Sequence, residues 1–477
     1  MKSHLALSLV LLVAPVMGTA MTLEEYLAQV RAKHRGLQSL DASRDAATNR
    51  REAGDIGLSP VLTFKATSLD DKKPQNLGAF VVDRNEVMDY SLGLGKTFTT
   101  GTTAQVTANT NETKLTGRNL GTTPPQGISQ TLGTGSLGLS LSQSLWKGGF
   151  GSNVRLRQER ELQIERTEKQ SYDLQAQQIL IQAESAYWDA LFQRDELKLR
   201  QDSLERARRI ESWVRRRVSN GIGDDADSFT AQGLVAGREL QLLIAQDDMV
   251  AVERRLRDIL ELPDSEPLPP LSGTLTGQRR LDQMSQGREG RKIRLDSYLA
   301  VLEAKTKAIV ADEIEDSYKP DLVLEGAYRT NSAEPTMSEA STKMAENDKP
   351  TQSIGLKLVW LLDGDVKNAA RRTAKSEALA SALKKERQLL ESDSAWAELN
   401  RRHGELTKKI QAAKIASDVQ TKKASAQRDK LNKGRAITSD VITAEQDAAE
   451  ALSTFIRLQA EQRKLEAQGR LFVTFEE

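Results

Sequence analysis

The sequence predicts an α+β membrane protein. Its unit of helix, strands, long helix, turn and helix is used twice; the strands close a barrel shared among chains and the helices form a tube. Three observations predict this. Hydrophobic spacing switches from a period near 3.6 to a period of two and back, in the same order, in both halves of the chain. Two stretches of roughly 66–69 residues run as single helices, while the remaining helices are about half as long. The clearest alternating runs number about four, too few for one chain to close a barrel when the smallest barrels have about eight strands.

Composition suits that class better than a compact globule. Of 477 residues, 4% are aromatic and 28% charged, and Ala, Leu, Gln, Glu, Lys and Arg fill long stretches without proline, as narrow helical seams require. The 68 basic and 67 acidic residues nearly cancel, so no global field draws nucleic acid or an acidic substrate. Cysteine is absent, which excludes disulfides, thiol chemistry and the acceptor of an N-terminal lipid anchor. His34 (KHRG) and His403 (RRHGE) sit in charged helical surroundings and read as solvated surface residues. No metal, cofactor or catalytic constellation is expected: the chain offers no nucleophile–base pair, metal cluster or phosphate loop.

Residues 1–20 read as a secretory signal. Lys2 supplies the positive end, Leu5 to Val16 the apolar stretch, and Gly18-Thr19-Ala20 the small-residue cleavage site before Met21. The apolar stretch is shorter than the ~20 residues of a membrane-spanning helix. The mature chain is expected outside the cytoplasm.

The first repeat, 21–277, opens with a helical pattern over 22–57, ended by Pro60. Strands are expected within 60–146. Leu62, Phe64 and Ala66 alternate with Thr63, Lys65 and Thr67, and Leu137, Leu139 and Leu141 with Gly138, Ser140 and Ser142. A second pair of alternating runs, near Tyr90–Phe98 and Thr103–Ala108, is joined by the short turn Thr99-Thr100-Gly101-Thr102. It reads either as two more barrel strands or as an outer hairpin. A long helix is expected over 152–218, with Ala183, Ala190, Leu197 and Leu204 seven apart. Asn220-Gly221-Ile222-Gly223 breaks it, a helix over 225–262 returns, and the Pro-rich linker 263–277 closes the unit. The second repeat, 278–477, repeats this order: helix 279–317, strands within 321–362, long helix 365–432, the break Lys433-Gly434, and helix 438–472. Each long helix would span about 100 Å at about 1.5 Å per residue. Two short helices end to end match one long one, as the wall of a tube requires. An exported coiled-coil tether without a pore is the alternative, but it leaves the duplicated amphipathic strands unexplained.

On these residues the sequence resembles the TolC family of outer-membrane channels, across essentially the whole mature chain. The carriers are the joints LSPVLTF and YKPDLVL, the joints SLGLSLSQSLWKGG and SIGLKLVWLLDGD, the helix segment ESAYWDALFQRDEL, and the turns SNGIGDDADSFTAQ and NKGRAITSDVITAEQ. The resemblance implies a homotrimer in the outer membrane with four barrel strands per protomer and a helical barrel crossing the periplasm. It further implies a passive exit conduit of an efflux or type I secretion system, docked by a periplasmic adaptor and an inner-membrane pump. Neither catalysis nor a nucleic-acid partner follows from it. The adaptor-docking tip would comprise Gly221, Ile222, Gly223, Gly434, Arg435 and Ile437.

Asp227 and Asp440, in the first turn of the returning helices, are candidates for a pore constriction. Their ordinary role is to complement a helix dipole. Only Asp440 matches the acidic pair by which many family members narrow the tunnel; Thr443 stands where the second acid would be. Arg215, Arg216, Arg217 and Lys433 beside Asp224 and Asp225 are candidates for ion pairs between helices at the tip. Trp146 and Trp360 end strands and read either as membrane-interface aromatics touching lipid headgroups or as packing against the helical part.

Overall fold

The computed structural model describes residues 20–474, apart from 123, 264, 278–280, 282–289 and 348. The predicted signal segment, save Ala20, and the beginning of the predicted 279–317 helix therefore lie outside the described residues. The chain divides into two compact units, one helical and one carrying the strands. The helical unit holds residues up to Arg44, Gln170–Tyr298 and Arg387 onward, and the strand unit holds Asp45–Lys169 and Leu299–Glu386.

In the strand unit, one antiparallel sheet carries β1 (Val61–Asp71), β2 (Gln75–Leu77), β3 (Phe80–Thr97), β4 (Thr102–Asn119), β5 (Gln126–Ser144), β7 (Asp321–Glu334) and β8 (Thr351–Val359). Their order is β1-β3-β4-β5-β7-β8, with β2 paired only to β3. The additional alternating pair thus joins the same sheet, as β3 and β4, between β1 and β5. Both strands run 18 residues, well beyond the alternating segments that signal them. Among the described residues, β1 and β8 each keep one unpaired edge.

The polar stretch 330–351 contains a short helix, Met337–Lys343. Thr336 caps it, its hydroxyl accepting from the Glu339 amide at 3.3 Å. Ala340 is fully buried against the sheet. The room comes from missing side chains: a Cβ on Gly133 would stand 2.3 Å from the Thr336 carbonyl, and one on Gly135 2.5 Å from the Ala340 oxygen.

In the helical unit, the long helices are Ser152–Ser219 and Gly364–Asn432, of 68 and 69 residues, each continuing in from the strand unit. The returning helices are Asp225–Leu260 and Thr438–Ala467. The predicted 22–57 helix is two helices, Leu23–Lys33 and Arg35–Ala53, because His34 adopts an extended backbone. His34 Nδ1 then accepts from the Gly36 amide at 3.1 Å. Within the predicted 279–317 range, Leu281 is helical and the helix Leu295–Ser317 follows. Before it, β6 (Lys292–Arg294) pairs with β9 (Phe472–Thr474), shortening the last helix as well. Three-residue strands carry too little alternation to be read from sequence. The main core gathers Tyr26, Val30, Ala183, Tyr187, Leu191, Leu256 and Leu260. Tyr187 donates to the Ser272 carbonyl and, at 3.3 Å, to that of Met21. His403 corrects the solvated reading: only 19% of its side chain is exposed, and Nε2 lies 3.3 Å from the buried Glu466 carboxylate.

Candidate functional site: the helix turns and the two-faced sheet

Both long helices end in the same motif. After Ser219, the Gly221 amide donates to the Val218 carbonyl at 2.9 Å and the Ile222 amide to the Arg217 carbonyl at 2.9 Å. After Asn432, the Gly434 amide donates to Leu431 at 2.9 Å and the Arg435 amide to Lys430 at 2.8 Å. This is the Schellman arrangement, which needs one left-handed residue. Gly221 has φ +71° and Gly434 φ +70°. Nothing lies within 4 Å of where a Cβ would stand on either, so backbone conformation alone explains the two glycines. Gly223 keeps an ordinary φ and sits tight instead, its Cβ position 3.0 Å from Val218 Cγ2.

The turns expose apolar side chains. Ile222 is 67% exposed and Ile437 63%. Phe229, one turn into the first returning helix, is 71% exposed. Phe229 belongs to the same kind of surface and was overlooked in sequence because a lone aromatic on a helix usually packs inward. Arg435 is exposed as well.

The charged candidates use local partners within one chain. Arg215 pairs with Glu211 one helical turn back. The Arg217 guanidinium lies 4.8 Å from the Trp213 ring centroid and donates to the Ile222 carbonyl at 3.3 Å. Asp224 is the N-cap of its helix, accepting from the Ala226 amide at 3.2 Å. Asp225 and Asp227 follow in the first turn and Asp440 in that of the last helix. Among the described residues, Arg216, Lys433, Asp224, Asp225, Asp227 and Asp440 form no ion pair. Asp440 and Thr443 are exposed, Asp227 half-buried.

Sequence reasoning missed the ion pairs that do join helices here. Glu445 on the last helix is buried, with 6% of its side chain exposed. Arg206 of the first long helix donates Nε to its Oε2 at 2.9 Å. Arg428 of the second long helix brings Nε within 2.8 Å of Oε1, an ion contact without good hydrogen-bond alignment. One carboxylate thereby links three helices near both turns. The buried Arg238 of the first returning helix shares this field. Burial, then Arg200, hold its guanidinium below the usual arginine range; Glu445 opposes them and Arg206 adds to them. Glu196 forms a second buried link, accepting from Ser453 at 3.1 Å. The available signal was Glu445 interrupting a run of small residues, ITAEQDAAEA, on a face otherwise buried.

The sheet has two chemically distinct faces. Its register places Leu62 opposite Leu94, Leu94 opposite Val106, Val106 opposite Leu139, and Leu139 opposite Tyr328. One row lower, Ala104 meets Leu141, Leu141 meets Gly326, and Gly326 meets Ile354. Phe64, Leu92, Leu356 and Leu358 extend this apolar face and are largely exposed. On the other face stand Lys65, Ser91, Thr107, Ser140, Glu325 and Lys357, because successive side chains alternate. Trp146 and Trp360 lie at the ends of β5 and β8, 53% and 55% exposed. The Lys367 ammonium lies 5.5 Å from the Trp360 ring centroid. Phe98, Leu361 and Leu362 are exposed at the neighbouring strand ends.

Solved structures of similar fold are outer-membrane channels. The outer-membrane channel OprN is 15% identical, with a TM-score of 0.67 over 94% of this chain and 89% of that one. The outer membrane protein VceC from Vibrio cholerae is 13% identical, with a TM-score of 0.65 over 93% and 94%. The MtrE outer-membrane channel of Neisseria gonorrhoeae, solved in its open state, is 14% identical, with a TM-score of 0.61 over 94% and 89%. No protein-family model and no curated protein matches the sequence. At these identities the likeness establishes the fold alone, an α+β chain of long helices and one antiparallel sheet.

Proposed function

We propose that the chain is a homotrimeric exit channel of the outer membrane, a passive conduit whose helices continue as a tunnel through the periplasm. The observation that carries this reading is the sheet. Its apolar face is exposed in bulk, its opposite face is polar, and both its edges lack partners among the described residues. An open edge in lipid leaves backbone groups unpaired at several kcal/mol each, so such a sheet must close. Closure by copies of itself satisfies every edge, puts lipid against the apolar face and leaves the polar face to line water. Trp146 and Trp360 then sit in the headgroup layer.

The order of elements in the chain, with two Schellman turns of equal geometry, supports a duplicated unit. Ile222, Phe229 and Ile437 form the apolar part of the surface on which a periplasmic adaptor docks, and the inner-membrane pump couples through that adaptor. That Asp440 forms no ion pair among the described residues supports its assignment to the constriction, with Asp227 as a lesser contributor. Arg216 and Lys433, without an ion pair among the described residues, are left for acids of a neighbouring protomer.

Purified protein in a planar bilayer tests the reading. A trimer giving discrete, long-lived conductance steps is expected. A protein that binds the outer membrane but never conducts is the coiled-coil tether instead.

A further inference from the structure

We propose that each chain lays six strands, not four, into the membrane, so that three chains close a barrel of eighteen. This rests on the channel reading above. Four observations within the strand unit support it. First, β3 and β4 pair over their whole length with each other, β3 with all of β1, and β4 with β5 from Thr102 to Asn119. They are not an appendage on a loop. Second, the hairpin reaches the helix-side end of the sheet. The Gly101 turn packs on the segment that starts the first long helix: a Cβ on Gly151 would stand 1.9 Å from the Thr99 carbonyl oxygen.

Third, the apolar face passes through the hairpin without a gap. Tyr90, Leu92 and Leu94 on β3 are 38%, 47% and 50% exposed, and Val106 on β4 is 45% exposed. Their register partners on β1 and β5 are equally apolar. The opposite face of the same hairpin is Ser91, Gly93, Gly95, Thr103, Gln105 and Thr107, small and polar, as a water-filled lumen requires.

Fourth, the slant of the belt has the value a barrel demands. Phe64 lies in one row with Leu92, Ala108, Leu137 and Thr330. On β7 and β8 the belt is centred on Leu324 and its partner Leu356, six residues further along β7. At about 3.3 Å per residue the belt descends roughly 20 Å while crossing four strand spacings to β7, roughly 19 Å, or five to β8, roughly 24 Å. That corresponds to a strand tilt of about 40–46°, at the upper end of the roughly 35–45° range of closed membrane barrels. A hairpin outside the barrel would have no reason to keep this slope.

Barrel diameter grows roughly linearly with strand number, so the exit would be about one and a half times as wide as a twelve-stranded one. Single cysteines test this cleanly, since the natural chain has none. Leu92→Cys and Val106→Cys probe the hairpin's apolar face, Ser91→Cys and Thr107→Cys its polar face, and Leu139→Cys on β5 is the control. Each carries a fluorescent thiol label in trimers reconstituted with spin-labelled lipid. The expected result is lipid quenching at Leu92→Cys and Val106→Cys within twofold of Leu139→Cys, and quenching only by aqueous iodide at Ser91→Cys and Thr107→Cys. Lipid quenching at the control alone overturns the six-strand proposal and leaves the channel reading intact. No lipid quenching at any site, control included, overturns the channel reading itself. A barrel cross-section by electron cryomicroscopy provides the independent count; twelve strands refutes the proposal whatever the labels show.

Discussion

Replacing Glu445 by Gln keeps its shape and removes the charge that Arg206 and Arg428 share. The size of the effect follows from burial. An exposed ion pair contributes about 0–1 kcal/mol, whereas breaking a buried one costs about 3–5 kcal/mol because a charge stays behind without a partner. Here the carboxylate is buried, but the Arg206 and Arg428 side chains keep 22% and 34% exposure. Water therefore recovers part of the loss for them, though not for the buried Arg238. We expect a cost of about 2–3 kcal/mol, confined to the segments that meet there. Hydrogen exchange of the trimer in detergent measures this. Amides of 203–218 and 424–449 should exchange about 30- to 150-fold faster at one factor of ten per about 1.4 kcal/mol, while β3–β5 stay unchanged. The outward pair Lys423–Asp447, 3.0 Å apart but 48% and 37% exposed, provides the contrast: Asp447→Asn should move the same amides less than about fivefold. If Glu445→Gln exchanges within twofold of wild type, the carboxylate does not hold these helices together.

Three further outcomes follow from the same geometry. Gly434→Ala should destabilise the second turn by about 1–2 kcal/mol through its left-handed backbone alone, and Gly434→Asn by less; equal exchange rates for amides 431–437 in all three proteins would show that the turn tolerates any residue. Asp440→Asn should lower cation selectivity and weaken block by divalent cations with trimer stability nearly unchanged; wild-type reversal potentials would make Asp440 a helix-end residue only. Hydrogen bonds from Arg401, then Arg402, hold the Glu398 carboxyl down at about 2. A lowered folded-state pKa means the pairing contributes above the usual carboxylate value of 4.5 and is lost as pH falls toward 2. The melting-temperature difference between wild type and Glu398→Gln should therefore shrink over that window, and a constant difference would exclude the pairing.

Long-period features were legible in the sequence because each residue adds to one signal. The seam at Ala183, Ala190 and Leu204 and the alternation at Leu137–Leu141 repeat often enough to exclude other readings. Gly221 and Gly434 were legible because one conformation demands them. Features set by long-range partners were not. Glu445 is one carboxylate among 67 acidic residues until the fold brings Arg206 and Arg428 to it. The β6–β9 pairing joins segments of three residues across most of the second half of the chain. The helix Met337–Lys343 did carry a local signal, Thr336 three residues before Glu339, but no apolar run followed to strengthen it. The hairpin β3–β4 was visible only where it alternates; in the other half of β3, Asp83, Arg84, Asn85 and Glu86 in a row interrupt the pattern.

The free edges of β1, over Val61–Asp71, and of β8, over Thr351–Val359, have a genetic corollary. In the proposed trimer each ring is sealed only if every subunit offers two sound edges. A subunit with a proline or a charge on the outer edge of β8 still enters the ring through β1 and leaves it unsealed. When such an allele and the normal one are expressed equally and mix at random, only about one ring in eight is built wholly from normal subunits. Damage to one edge is thus inherited as a dominant trait, whereas loss of the whole chain is recessive.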